Sequence, residues 1–162
     1  MSTERQSTPG PHWIVIHAEA YARAADLARD RYQAVMPDYR SLMATPRLDG
    51  YVEYLNWITA IRRMCRVAAA AKAYYDPARA GLIAAAVDAF EKSVNCRDAT
   101  HVRDVLEHAD DYAAGIGQQK IRFPDIDMDA WTSAVQRFSA ELLQALKRDK
   151  LPPGRPPAQS PS

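Results

Sequence analysis

The chain has 162 residues, 48% of them apolar and 25% charged, a balance that fits one soluble globular domain with a real core. Its 21 basic against 20 acidic residues leave a net charge of +1, which excludes a global electrostatic hold on a phosphate backbone and makes any nucleic-acid contact local. Only 6 glycines, and alanine-rich runs at 67–73 and 82–89, favour helix over sheet.

Residues 1–11 are polar with two prolines, and a flexible N-terminal tail is expected there. The opening MSTERQSTPGPH is too polar for a secretory signal, and no apolar run nears the ~20 residues of a membrane helix. A soluble, cytoplasmic protein without membrane association is the expectation. A first helix is predicted from Ile14 to Val35, where Ile14, Ala18, Tyr21, Ala25, Ala28, Tyr32 and Val35 recur three or four apart. His17 borders that stripe and reads as a packed or half-exposed structural histidine. Pro37 ends the helix, and a connector through Thr45-Pro46 follows.

Asp49 is placed to cap a second helix, Gly50 to Tyr75, with Tyr54, Ile58, Ile61, Cys65 and Ala68 inward and Leu55, Met64 and Ala71 widening the stripe. Arg62, Arg63 and Arg66 cluster in its middle. They read either as a solvated face paired with acids of a neighbouring helix or as a patch contacting phosphate. Cys65 and Cys96 are the only cysteines, far apart and in no metal-type spacing, and are expected as two reduced thiols. Asp76-Pro77 marks the start of a third helix running to about Val94, with Leu82, Ile83, Ala86, Val87 and Phe90 inward. A break at Asn95–Ala99 precedes a fourth helix capped by Asp98 or Thr100. After a loop from Gln118 to Asp129, a last helix is predicted from Ala130 to Lys147, capped by Asp129 or Asp127. Its stripe is Trp131, Val135, Phe138, Leu142 and Ala145, with Leu143 and Leu146 alongside. The tail LPPGRPPAQSPS is expected to be disordered or in polyproline II. The architecture that follows is all-α: one domain over 12–150, a bundle of four or five helices with mostly antiparallel neighbours, and a proline-rich tail over 151–162.

The fourth helix concentrates the chemistry, and Val102 to Gly117 is the stretch around which the chain is expected to be organised, closed by Gly115 and Gly117. On a helical wheel Val102, Val105, Leu106, Ala109 and Ala113 gather on one side. His101, His108 and Tyr112 lie along one flank, and Arg103, Glu107 and Asp110 lie on the other or behind. Asp104 can reach His108 and Arg103 can reach Glu107, four residues on. Asp110 and Asp111 sit where the helix dipole disfavours negative charge, so a salt link is expected from Arg62, Arg63, Arg66, Lys120 or Arg122. His101, Asp104, His108 and Asp111 share a broad face, but the Glu-x-x-His pairs of metal-binding bundles are absent. No metal site and no cofactor are expected, and neither thiol has a cue for nucleophilic catalysis.

Arg103-Asp104-Val105-Leu106-Glu107-His108 resembles the signature of HEPN domains, an arginine and a polar residue followed within a few positions by a histidine. The helical layout is similar over roughly Trp13 to Lys150. That family consists of small all-α proteins, commonly dimers, many of them metal-independent ribonucleases of toxin–antitoxin and antiviral systems. The resemblance implies that Arg103 binds the scissile phosphate, His108 moves a proton and Asp104 orients the pair. Arg62, Arg63 and Arg66 would add substrate contacts. The chemistry is coherent: histidine titrates near working pH and arginine offers a planar fork to phosphate oxygens. Arg103 and His108 stand about 140° apart on an ideal helix, so the resemblance points to a composite site across a homodimer. Asp110 stands where one toxin branch carries a tyrosine two places after the histidine, and that branch's regulation is not implied. The competing reading is a non-catalytic helical bundle that binds a protein partner, with Arg103–Glu107 a surface pair and His108 satisfied by Asp104 or Asp111.

Overall fold

The structure is a computed structural model, and it describes residues 11–35, 47–74, 81–108 and 124–148. The described residues form five helices and no strand: α1 (Pro11–Val35), α2 (Arg47–Tyr74), α3 (Gly81–Ser93), α4 (Cys96–Glu107) and α5 (Met128–Arg148). The all-α bundle expected from the periodicity is what is found. None of these helices is long and apolar enough to cross a membrane.

α2 is the hub, for it packs against each of the other four helices. That position explains why its buried surface is wider than one stripe. Ile58, Ile61, Met64, Cys65, Ala68 and Ala71 are buried as the spacing predicts, but so are Trp57, Ala60 and Val67. Tyr54 and Leu55 are only partly buried. The organising role expected of Val102–Gly117 belongs to α2 instead. α1 lies antiparallel to α2: Tyr21 meets Arg63 near one end and Tyr32 meets Tyr54 near the other, with ring centroids 5.8 Å apart. α1 buries Ala18, Ala25 and Ala28, and these small side chains let the two backbones approach closely. α5 closes the bundle against α1 and α3. Phe90 of α3 stacks on Phe138 of α5 with centroids 4.8 Å apart, and Trp57 meets Trp131 at 6.1 Å. The indole Nε1 of Trp57 donates to Thr132 Oγ1 at 2.9 Å, and that hydroxyl donates to the Met128 carbonyl at 2.7 Å.

Several local expectations are corrected. Asp49 lies inside the first turn of α2, not before it. Leu82 is 47% exposed, because α3 turns Ile83, Ala86, Val87 and Phe90 inward and leaves its first leucine at the rim. Of the two proposed caps of α5, Asp127 is the one that acts: its Oδ1 accepts from Ala130 N at 3.0 Å. Asp129 faces α1, where it accepts from Gln33 Nε2 at 3.1 Å and lies 3.8 Å from Arg29 Nε. The Asp76-Pro77 helix start lies outside the described residues.

The two cysteines are not reduced thiols. Cys65 of α2 and Cys96 of α4 form a disulfide with their Cα atoms 5.7 Å apart, inside the range of roughly 4.4–6.8 Å that such a bond requires. Sequence distance concealed this pairing, since the antiparallel crossing of α4 on α2 is a tertiary feature. The cytoplasmic expectation had leaned on free thiols, and that support is gone.

Candidate functional site

α4 begins about one turn earlier than the caps expected for it. Asn95, extended at φ −77° and ψ 96°, accepts from the backbone N–H of Arg97 at 3.1 Å and of Asp98 at 3.2 Å. It therefore supplies the cap expected of Asp98 or Thr100, while Asp98 sits in the first turn, where the dipole favours a carboxylate. Ala99, Val102 and Val105 are buried against the bundle. The helix stops at Glu107 and not at Gly115 or Gly117. His108 is its C-cap at φ −107° and ψ 25°, with its N–H on the Asp104 carbonyl at 3.1 Å. From α2, the Tyr51 hydroxyl donates to the Leu106 carbonyl in the last turn of α4.

The six-residue motif straddles this helix end. The Arg103 side chain is 23% exposed and lies between two carboxylates: Nη1 is 3.0 Å from Asp104 Oδ1, and Nη2 pairs with Glu107 Oε2. Its Nε is buried and has no hydrogen-bond partner. The i,i+4 pair of Arg103 with Glu107 is thus present as the spacing predicts. Of the motif's side chains, Asp104 engages Arg103 through its carboxylate, while its bond to His108 is only the helical backbone one. The His108 side chain is exposed at the end of the helix.

The α2 arginines do not join Arg103 within one chain. Cys65 and Tyr51 mark the α4-facing side of α2, and Arg63 lies about 160° around the helix from Cys65. The Arg63 guanidinium sits over the Tyr21 ring of α1, 5.7 Å from its centroid. Arg62 is half-buried and Arg66 exposed. Both flank Cys65, at the end of the α2–α4 contact where α4 starts, whereas Arg103 is toward the other end, near Tyr51. Among the described residues none of the three arginines has an ion-pair partner. Asp110, Asp111, Lys120 and Arg122, and with them the expected salt link, lie outside the described residues. His17 has the structural role expected of it: its Nδ1 lies 3.0 Å from the Tyr21 hydroxyl, and its ring rests 3.7 Å from that of Trp13. Among the described residues no group of three or more His, Cys, Asp and Glu side chains could hold a metal ion.

One polar feature has no counterpart in the sequence reading. Between α1 and α2 runs a groove of about 340 Å³. Tyr21, Arg31, Glu53, Asn56, Thr59 and Arg63 line it, with Ala24, Leu27, Ala28 and Ala60 as its apolar part. Glu53 Oε2 is buried there without a hydrogen-bond partner. The signal available in the sequence was Glu53, Asn56, Thr59 and Arg63 at three- and four-residue spacing, a polar stripe on a helix otherwise read only for its apolar one. No protein-family model matches the chain, and neither a curated protein nor a solved structure matches it.

Proposed function

We propose that this chain is a HEPN-like, metal-independent endoribonuclease of toxin or defence type, acting as a homodimer with its site at the dimer cleft. The observation that carries the reading is the half-buried Arg103 guanidinium, held by the Asp104 carboxylate on the same helix end at which the His108 side chain is exposed. In the reaction His108 of one copy removes the proton from the RNA 2′-hydroxyl. The 2′-oxygen attacks phosphorus, and the bond to the 5′-oxygen breaks. That oxygen takes a proton from the protonated His108 of the second copy. The products are a 2′,3′-cyclic phosphate and a 5′-hydroxyl. Arg103 exchanges its carboxylate partners for the phosphate oxygens and stabilises the charge that develops on them. Arg62 and Arg66 contact flanking phosphates, and an antitoxin-like protein is the natural partner.

Digestion of a generic single-stranded RNA in excess chelator tests this. Wild type is expected to leave 2′,3′-cyclic ends, and His108→Ala or Arg103→Ala to lower the rate by about 10²-fold or more. A clean monomer at every concentration in size-exclusion chromatography removes the composite site. The second reading, a non-catalytic bundle that binds a protein partner, is favoured by one observation: both terminal nitrogens of Arg103 are already taken by Asp104 and Glu107. Equal and negligible cleavage by wild type and both variants decides for it.

A further inference from the structure

We infer that the α1–α2 groove is a guanine-nucleotide subsite, in which Glu53 and Arg31 read the base and Arg63 holds the phosphate. It rests on the ribonuclease reading only for the origin of its ligand, an RNA strand.

The inference starts from Glu53. One oxygen of its carboxylate is sealed from solvent without a donor, a costly arrangement that a turn of the side chain into the groove would relieve, and two guanidiniums line the same groove without pairing to it. A ligand for this groove must therefore bring hydrogen-bond donors to Glu53 and acceptors or negative charge to the arginines. Guanine does both on adjacent edges. Its N1–H and N2–H form a parallel pair of donors that matches the two oxygens of a carboxylate, while O6 and N7 accept from an arginine fork. Adenine would set the N1 lone pair against Glu53 and the N6 hydrogens against Arg31. Uracil would set two carbonyls beside the carboxylate, and cytosine offers it a single amino group.

The spacing suits a nucleotide. Arg31 and Glu53 lie at one end of the groove and Tyr21 and Arg63 at the other, as the antiparallel course of α1 and α2 requires. Glu53 and Arg63 are ten residues apart on α2, about 15 Å along the axis, which the base-to-phosphate length of one nucleotide spans together with the two side chains. The Tyr21 ring already supports the Arg63 guanidinium, keeping that cation at the phosphate end. Ala24, Leu27, Ala28 and Ala60 give the base apolar surface to lie against. α4 packs on the opposite side of α2, so the base held here is not the one at the scissile bond.

The test is calorimetric titration of the full chain with GMP, AMP, CMP, UMP and guanosine, and with single-stranded RNAs that contain or lack guanine. GMP is expected to bind about tenfold or more tightly than the other nucleotides. Glu53→Gln and Arg31→Met should each erase that preference. Arg63→Ala should weaken GMP while leaving guanosine unchanged. Melting temperatures of the free variants check that each still folds. GMP binding as tight as that of the guanine-containing RNA identifies a free nucleotide as the ligand, and markedly tighter RNA binding identifies the strand. Equal binding of all four nucleotides, no binding of any, or a guanine preference that survives both Glu53→Gln and Arg31→Met overturns the assignment. His108→Ala should retain GMP binding in full. A chain that binds guanine and cuts no RNA therefore keeps the subsite and loses the nuclease.

Discussion

Trp57 is the largest side chain removed from solvent, and its single polar atom depends on a single partner, Thr132 Oγ1. Thr132→Val keeps the shape and strands the indole N–H, which should cost about 1–3 kcal/mol. In urea the midpoint should fall while the slope stays constant. An unchanged midpoint would mean that the indole finds another acceptor. Tyr54 makes a second residue-scale prediction. Burial pushes its phenol pKa up, with a smaller contribution from Tyr32. A raised folded-state pKa gives stability that is complete below the unfolded value, about 10, and is lost as pH rises through the folded value. Wild type should therefore lose more stability than Tyr54→Phe as pH climbs above about 10, as read by urea unfolding at matched pH. Glu107→Gln isolates the competition at Arg103. The pair is partly exposed, so stability should change by no more than about 1 kcal/mol, while KM for RNA should fall as the guanidinium is released. An unchanged KM would count against Arg103 as a phosphate ligand. Of these features the Arg103–Glu107 pair was legible, because it needs only helical spacing. Trp57–Thr132 was not, since its two residues are 75 positions apart.

Among the elements, α1 and α5 were legible nearly from end to end because each shows one apolar stripe to one side of the bundle. α4 was legible at its centre and not at its ends. Its start was hidden because Asn95 precedes Cys96 and Arg97, so the cap stands several residues before the first large apolar side chain, Val102. The spacing of Cys96, Ala99 and Val102, three apart, was the available clue. Its end was misplaced because the apolar repeat continues through Ala109 and Ala113, while the described helix yields at His108. Asn95→Ala should cost about 0.5–2 kcal/mol, the usual range for losing a capping side chain. Amide exchange should show it first at Arg97 and Asp98, whose N–H groups the Asn95 side-chain oxygen Oδ1 holds. Uniform acceleration across all five helices, with no early response at those two amides, would deny Asn95 that local role. The arginines of α2 teach a related lesson. Their closeness in sequence suggested one patch, but helical rotation carries Arg63 into the α1 groove and away from the α4 face.

At the scale of the molecule, α2 holds the bundle together, and α4 is attached to it by three things: a buried apolar strip, the Tyr51–Leu106 hydrogen bond and the Cys65–Cys96 bond. α4 makes its main helix contact with α2 alone. The disulfide therefore fixes the element that carries Arg103 and His108, and its loss should be felt there more than in α1 or α5. The bond closes a loop spanning a sequence separation of 31. For that length the constraint on the unfolded chain is worth about 3–4 kcal/mol in the chain-entropy account. In a protein of this size that corresponds to a fall in Tm of roughly 10 °C. Calorimetry with and without a phosphine reductant measures it, and the paired variant Cys65→Ser, Cys96→Ser should reproduce the reduced value. Amide exchange on the reduced protein should accelerate within 96–107 well before it does within α1. An identical Tm in reductant, together with two thiols alkylated in the native oxidised protein, would show that the tether is not formed. α4 would then depend on Val102, Val105 and Tyr51 for its seat on α2.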